Sequence, residues 1–184
     1  VQAAAHLGAP WVKTHFAGLE AGEPVHVRAL KQGVRIGELM RDGPITLPTA
    51  VRCALTLCDA LAQARGLEGI EQSVGEHGIH VGWDGALQVG GPDLDFMPPP
   101  MPVPDDAVFR VVSLLGLLIQ GAEERMTRMA RPMPARVLPS IEGPLKELFA
   151  RYRGGKPHAS AAELRGALIA HAGTEAEARR EVSG

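Results

Sequence analysis

The run VFRVVSLLGLLI, residues 108 to 119, constrains the fold more than any other stretch of this sequence. Only Arg110 and Ser113 interrupt it. It is too short to span a bilayer, which takes about 20 apolar residues. At helical period it is apolar on nearly every side. It therefore predicts a central helix with other elements packed around it. Asp105 and Asp106 stand just before it and favour the positive end of a helix dipole. The predicted helix runs to about Gln120.

A second strong helix is predicted upstream. Pro48 suits a first turn, where its missing N–H costs nothing. Val51, Ala54, Leu55, Cys58, Leu61 and Ala62 recur at three- and four-residue steps, with Arg52, Asp59 and Gln63 off that stripe. This helix should end near Gly66. A shorter helix is predicted over 34–41, closed by Asp42-Gly43-Pro44. Downstream, Ser140 is placed to cap a helix burying Leu145, Leu148, Phe149 and Tyr152. Ser160 with Glu163 three residues later forms a capping box for a helix burying Leu164, Leu168 and Ile169.

Extended structure is predicted over 11–18 and 24–30, joined by a turn. In the middle of the chain Ile79 and Val81 alternate about His80, and Leu87 and Val89 about Gln88. Asp84-Gly85 between them is a tight-turn signal, because glycine accepts positive φ. These runs predict a short β-hairpin with one apolar face. MPPPMPVP, residues 97–104, must be extended. The polar residues 173–184 read as a solvated tail. The expected fold class is α+β and mostly helical.

Composition narrows the function classes. A net charge of -2 gives no basic surplus for nucleic acid, and 4% aromatics offer few stacking platforms. Cys53 and Cys58 lie inside an apolar helical run without metal-ligand spacing, which fits reduced core thiols. No signal peptide is visible, so the expected location is cytoplasmic. Abundant Ala and Arg suggest bacterial, GC-rich coding.

The order of these elements, and certain words along it, resembles the lower part of a protein kinase domain. HLGAPWVKTHFAG looks like the family's helix end, turn and following strand, with Ala9 where a His usually stands. EPVHVRALKQGVRIGELMRDGPITL resembles the strand, hinge and short helix that follow. AVRCALTLCDALAQARGLEGI is similar to the long helix leading to the catalytic loop. DDAVFRVVSLLGLLIQG is similar to the Asp-headed central helix, and KPHASAAELRGAL to the last helix of the large lobe. The resemblance implies a kinase-like C-lobe over 31–172 with a remnant of the N-lobe over 1–30. That remnant would be a helix end and two strands. A polar tail would follow over 173–184.

The resemblance also places the family's functional positions. Kinases use a catalytic-loop Asp as base, an Asn and a second Asp as magnesium ligands, and a nearby Lys. Counting back from Asp84-Gly85, the His-Arg-Asp triplet falls on Glu71, Gln72 and Ser73. The Lys falls on Gly75 and the Asn on Gly78. Counting forward, the Asp of Asp-Phe-Gly falls on Gly91. Ser73 is a poor base at neutral pH, and glycines cannot ligate a hard cation that needs clustered oxygens. A slip of two residues, through a bulge at Gly90-Gly91, would instead put Asp93 in the magnesium position. The Gly-rich loop and its strand Lys are not in this sequence, and too few residues separate Gly91 from PPP for an activation loop.

The expectation is therefore a catalytically inactive, pseudokinase-like domain with no cofactor and no metal, acting as a scaffold or allosteric adaptor. Its partner would be another protein chain or an upstream lobe, with no nucleic acid and no membrane span. Candidate docking positions are Trp11, Val12, Phe16, Val25 and Val27 on the N-terminal strands, and Met97, Met101 and Val103 in the Pro-rich strip. That strip reads equally as a stiff connector. His77, His80 and His26 read as surface or half-buried imidazoles rather than a zinc site. The alternatives are a residual nucleotide binder or atypical enzyme with relocated groups, and a helical structural subunit.

Overall fold

The computed structural model describes residues 9–11, 14–28, 33–39, 44–65, 79–89, 107–120, 141 and 143–183. They form an α+β fold, mainly helical, with a small three-stranded antiparallel sheet and a separate two-stranded ribbon. Among them, no helix is long and apolar enough to cross a membrane.

Helix α2 (Leu47–Ala64) is the hub. It packs against α3 (Ala107–Gln120), against α5 (Ala161–Leu168) and against strand β5 (Leu87–Val89). Pro48 lies in its first turn, as expected. Contact on several sides explains why its buried set is wider than one stripe. Cys53, Leu57, Ala60 and Ala64 are buried besides Val51, Ala54, Cys58 and Leu61. Leu55 is only half-buried and Ala62 is exposed, contrary to expectation. α3 behaves as its composition demands: none of its residues is exposed, and Phe109, Val111, Val112, Leu114, Leu115 and Leu118 are buried.

Thr49 is fully buried in the first turn of α2, and its hydroxyl has no partner among the described residues. A desolvated, unpaired hydroxyl costs about 1–3 kcal/mol. Thr49→Val is therefore expected to raise stability by about 1 kcal/mol in urea unfolding. A variant less stable than the parent would mean that the hydroxyl is bonded.

Strands β1 (Thr14–Glu20) and β2 (Glu23–Arg28) form the ribbon, close to the extended runs predicted. Glu20 pairs with Glu23, and the two residues between them, Ala21 and Gly22, both have positive φ. That is the turn whose twist matches an antiparallel ribbon. The second sheet runs β3 (Val34–Arg35), β4 (Ile79–Val81), β5. β4 and β5 are the predicted hairpin. β3 is a correction, because residues 34–35 were expected to begin a helix. The helix there, α1, spans Ile36–Leu39, and residues 40–43 lie outside the described part. The reason for β3 is Gly33, at φ +123°, which lies so close over Val81 that a Cβ would overlap the Val81 carbonyl oxygen. That approach draws Val34 and Arg35 into register with Val81 and His80.

The C-terminal third departs from expectation in three places. Helix α4 (Lys146–Arg153) is capped at Leu145, after a turn in which the Lys146 amide donates to the Gly143 carbonyl at 3.0 Å. The expected cap, Ser140, lies outside the described residues. Leu145, Phe149 and Tyr152 are buried as expected, and Leu148 is half-buried. α5 keeps its capping box: the Glu163 amide donates to Ser160 Oγ at 3.2 Å, while the Glu163 carboxylate accepts from the Ala159 amide at 3.1 Å. Leu164 and Leu168 are buried, but Ile169 is 54% exposed. It falls in a 3-10 turn, Ile169–His171, which rotates it off the buried face of the helix.

The third departure is the polar C-terminal stretch, which forms a helix, α6 (Glu175–Ser183). Thr174 and Glu177 cap it reciprocally. The Glu177 carboxylate accepts from the Thr174 amide at 2.6 Å, and the Glu177 amide donates to Thr174 Oγ1 at 3.3 Å. These hydrogen bonds hold the Glu177 carboxyl below its usual pKa. Glu175, Ala176, Arg179 and Arg180 are exposed, yet the helix is attached. Arg179 donates through Nε and one Nη to the Asp84 carbonyl at 3.1 and 2.9 Å. The Gly173 amide donates to the Pro48 carbonyl at 3.1 Å.

Candidate functional site

The hairpin is the frame from which the kinase-like positions are counted. Its register is continuous, pairing Ile79 with Val89, His80 with Gln88 and Val81 with Leu87. Its loop is tightly held. The Gly82 amide donates to the Ala86 carbonyl at 2.8 Å, the Gly85 amide to the Gly82 carbonyl at 2.8 Å, and the Ala86 amide to the Asp84 carboxylate at 2.9 Å. Gly85 has φ +82°, the conformation for which the Asp-Gly pair was read. The turn projects Trp83, which is 57% exposed.

Glu71, Gln72, Ser73, Gly75, Gly78 and Gly91 lie outside the described residues, as does Asp93. So do Val12, Met97, Met101 and Val103. His80 is placed, and it is buried in β4 rather than at the surface or half-buried. The expectation of one apolar face on the hairpin fails at this strand for the same reason: all of Ile79, His80 and Val81 are buried, since β4 is the middle strand of its sheet.

Of the docking candidates, Trp11 is taken up inside the chain. It is buried, its indole N–H donates to the Ala60 carbonyl at 3.2 Å, and its backbone bridges Val89. It belongs to the core with α2 and cannot serve as a surface anchor. Phe16, Val25 and Val27 lie on the ribbon. The register sets position 16 opposite 27 and position 18 opposite 25. Val27 is 47% exposed. Among the described strands, β1 and β2 pair only with each other, so each keeps one edge unpaired. An isolated ribbon of this kind is marginal in water, and its open edges are templates for another strand.

Cys53 and Cys58 are buried thiols outside any disulfide, as read from the sequence. Burial pushes the Cys58 thiol up to about 12, with the Asp59 carboxylate adding to the shift and Arg165 opposing it. At neutral pH the thiol is fully protonated, so Cys58 is no nucleophile.

A groove that sequence reasoning missed lies between α4 and α5. It is open to solvent and holds about 270 Å³, and Arg151, His158 and His171 line it. Tyr152 anchors the segment after α4: its hydroxyl accepts from the His158 amide at 3.3 Å and lies 3.1 Å from His158 Nδ1. Phe109 of α3 packs against Tyr152, ring centroids 6.3 Å apart. The only trace in sequence was Lys156-Pro157-His158 after two glycines, which fixes a chain reversal but not what faces it.

A scan against protein-family models finds no match to this chain, and a search of curated proteins finds none either.

Proposed function

We propose that this chain is a kinase-like domain that has lost phosphoryl transfer and acts by binding another protein. The observation that carries the reading is chemical. Ser73, Gly78 and Gly91 stand where the resemblance calls for a base and two magnesium ligands. Phosphoryl transfer depends on that base and on the metal that the two ligands hold. The uninterrupted hairpin register from Ile79 to Val89 supports the count that assigns these positions. The ribbon supports the binding half: its open edges, and Val27 on its surface, favour strand addition by a partner chain or an upstream lobe.

The test is thermal unfolding with ATP and magnesium. A ligand present at 100 times its Kd stabilises by about 2.7 kcal/mol, which is about 5–10 °C for a chain of this size. The expected shift is under about 1 °C, with or without the metal. A magnesium-dependent rise of several degrees would replace this reading with that of a nucleotide binder. In parallel, a photocrosslinker placed at Val27 is expected to give one discrete adduct with a second chain in the native host. No adduct would remove the ribbon from the interface.

A further inference from the structure

We propose that the groove between α4 and α5 binds a phosphate monoester, held by Arg151, His158 and His171. This does not depend on the function proposed above.

Three observations converge on it. The first is a fixed guanidinium. Arg151 Nε donates to the Lys156 carbonyl at 2.7 Å, which sets the plane of the group. Its two Nη atoms have no partner among the described residues, so a paired donor edge is left over. Guanidinium presents such edges to tetrahedral oxyanions with two parallel hydrogen bonds.

The second is an oriented imidazole. The Tyr152 hydroxyl lies against His158 Nδ1, and the two rings sit 5.5 Å apart. Nε2 is the ring nitrogen that remains. His171 stands half-buried on the same groove.

The third is charge. From α4 come Arg151 and Glu147, from the connecting turn Lys156, from α5 Glu163, and from the 3-10 turn His171. The Glu163 carboxylate is engaged in its capping box. Among the described residues that line the groove, Glu147 is then the one carboxylate, against Arg151 and two imidazoles. His158 accordingly titrates below 6.5: burial acts first, Arg151 second, and Glu163 opposes them. A dianion seated between Arg151 and His158 removes that repulsion and favours the imidazolium. Leu145 and Leu148 floor the groove, and its volume leaves room for the carrier of the phosphate.

Binding and protonation must then be linked. Without the anion, the unfolded chain takes up a proton at His158 more readily than the folded one. Stability therefore falls as pH drops below 6.5 through the lowered folded pKa. With phosphate bound, the His158 pKa should rise and this loss should shrink.

The test is NMR of the histidine ring protons in the full chain, titrated with inorganic phosphate at constant ionic strength. The expected result is saturable shifts of His158 and His171 and an upward move of the His158 pKa. Arg151→Gln should weaken binding at least tenfold, and Arg151→Lys should fall between, since it keeps the charge and loses the fork. Arg151 is exposed, so both variants should unfold at the parent temperature. A phosphoserine peptide that binds tighter than inorganic phosphate would assign a modified side chain as the natural source. Equal binding would assign a small phosphate. Equal shifts with acetate, no saturation, or no effect of Arg151→Gln would each overturn the proposal.

Discussion

Gly85→Ala is expected to lower the free energy of unfolding by about 2–4 kcal/mol, from a strained positive φ together with a backbone overlap. Gly85 has φ +82°, where an L side chain is strained. A Cβ there would fall on the Glu175 carbonyl oxygen and within 3.0 Å of the Arg179 amide nitrogen. Both are backbone atoms of α6, so no rotamer change relieves the contact. Either the hairpin loop distorts or α6 lifts away. Lifting α6 also breaks the paired bonds from Arg179 to the Asp84 carbonyl. Urea unfolding gives the total loss, and amide hydrogen exchange over residues 176–183 tells the two responses apart. A loss under about 0.5 kcal/mol with those amides still protected would show that α6 does not sit against the turn.

Trp11→Ala should be as damaging, at about 3–5 kcal/mol, the range for deleting a buried aromatic. Trp11→Phe should cost less. It keeps most of the apolar contact and forfeits the indole hydrogen bond to the Ala60 carbonyl, worth about 1 kcal/mol. The pair is informative because the sequence placed Trp11 among surface docking positions. A docking Trp would leave the stability of the isolated chain unchanged on truncation to Ala. If both variants unfold like the parent, the burial described here is wrong and the docking role returns.

Much of the fold was legible, and for identifiable reasons. Residues 108–119 have so little polar surface that no placement but the interior is consistent with them, and α3 is unexposed throughout. The capping box of Ser160 and Glu163 and the Asp84-Gly85 turn are local chemistry, satisfied within a few residues, and both are present. The misreadings are non-local. β3 is two residues long and exists because Gly33 admits Val81, forty-odd positions away, which no periodicity records. Ile169 fits a helical stripe until the helix tightens beneath it. The buried face of α2 is wider than its clearest stripe because several elements surround it. The groove at Arg151, His158 and His171 is likewise a product of packing, since these side chains come from separate elements. The count of kinase-like positions rests on resemblance, and the residues that carry it lie outside the described part of the chain.

Helix α6 has one more implication, for the order in which the molecule comes into being. The bonds from Arg179 reach back 95 positions to Asp84, and Arg52 reaches forward 121 positions to the Gly173 carbonyl at 3.3 Å. A chain made from its N-terminus can build the hairpin and the hub helix early, but until residue 179 has left the ribosome the Asp84 carbonyl has only water to accept from. The hairpin loop is thus completed by a residue made 95 positions after it, and it takes its final form only after translation has passed residue 179.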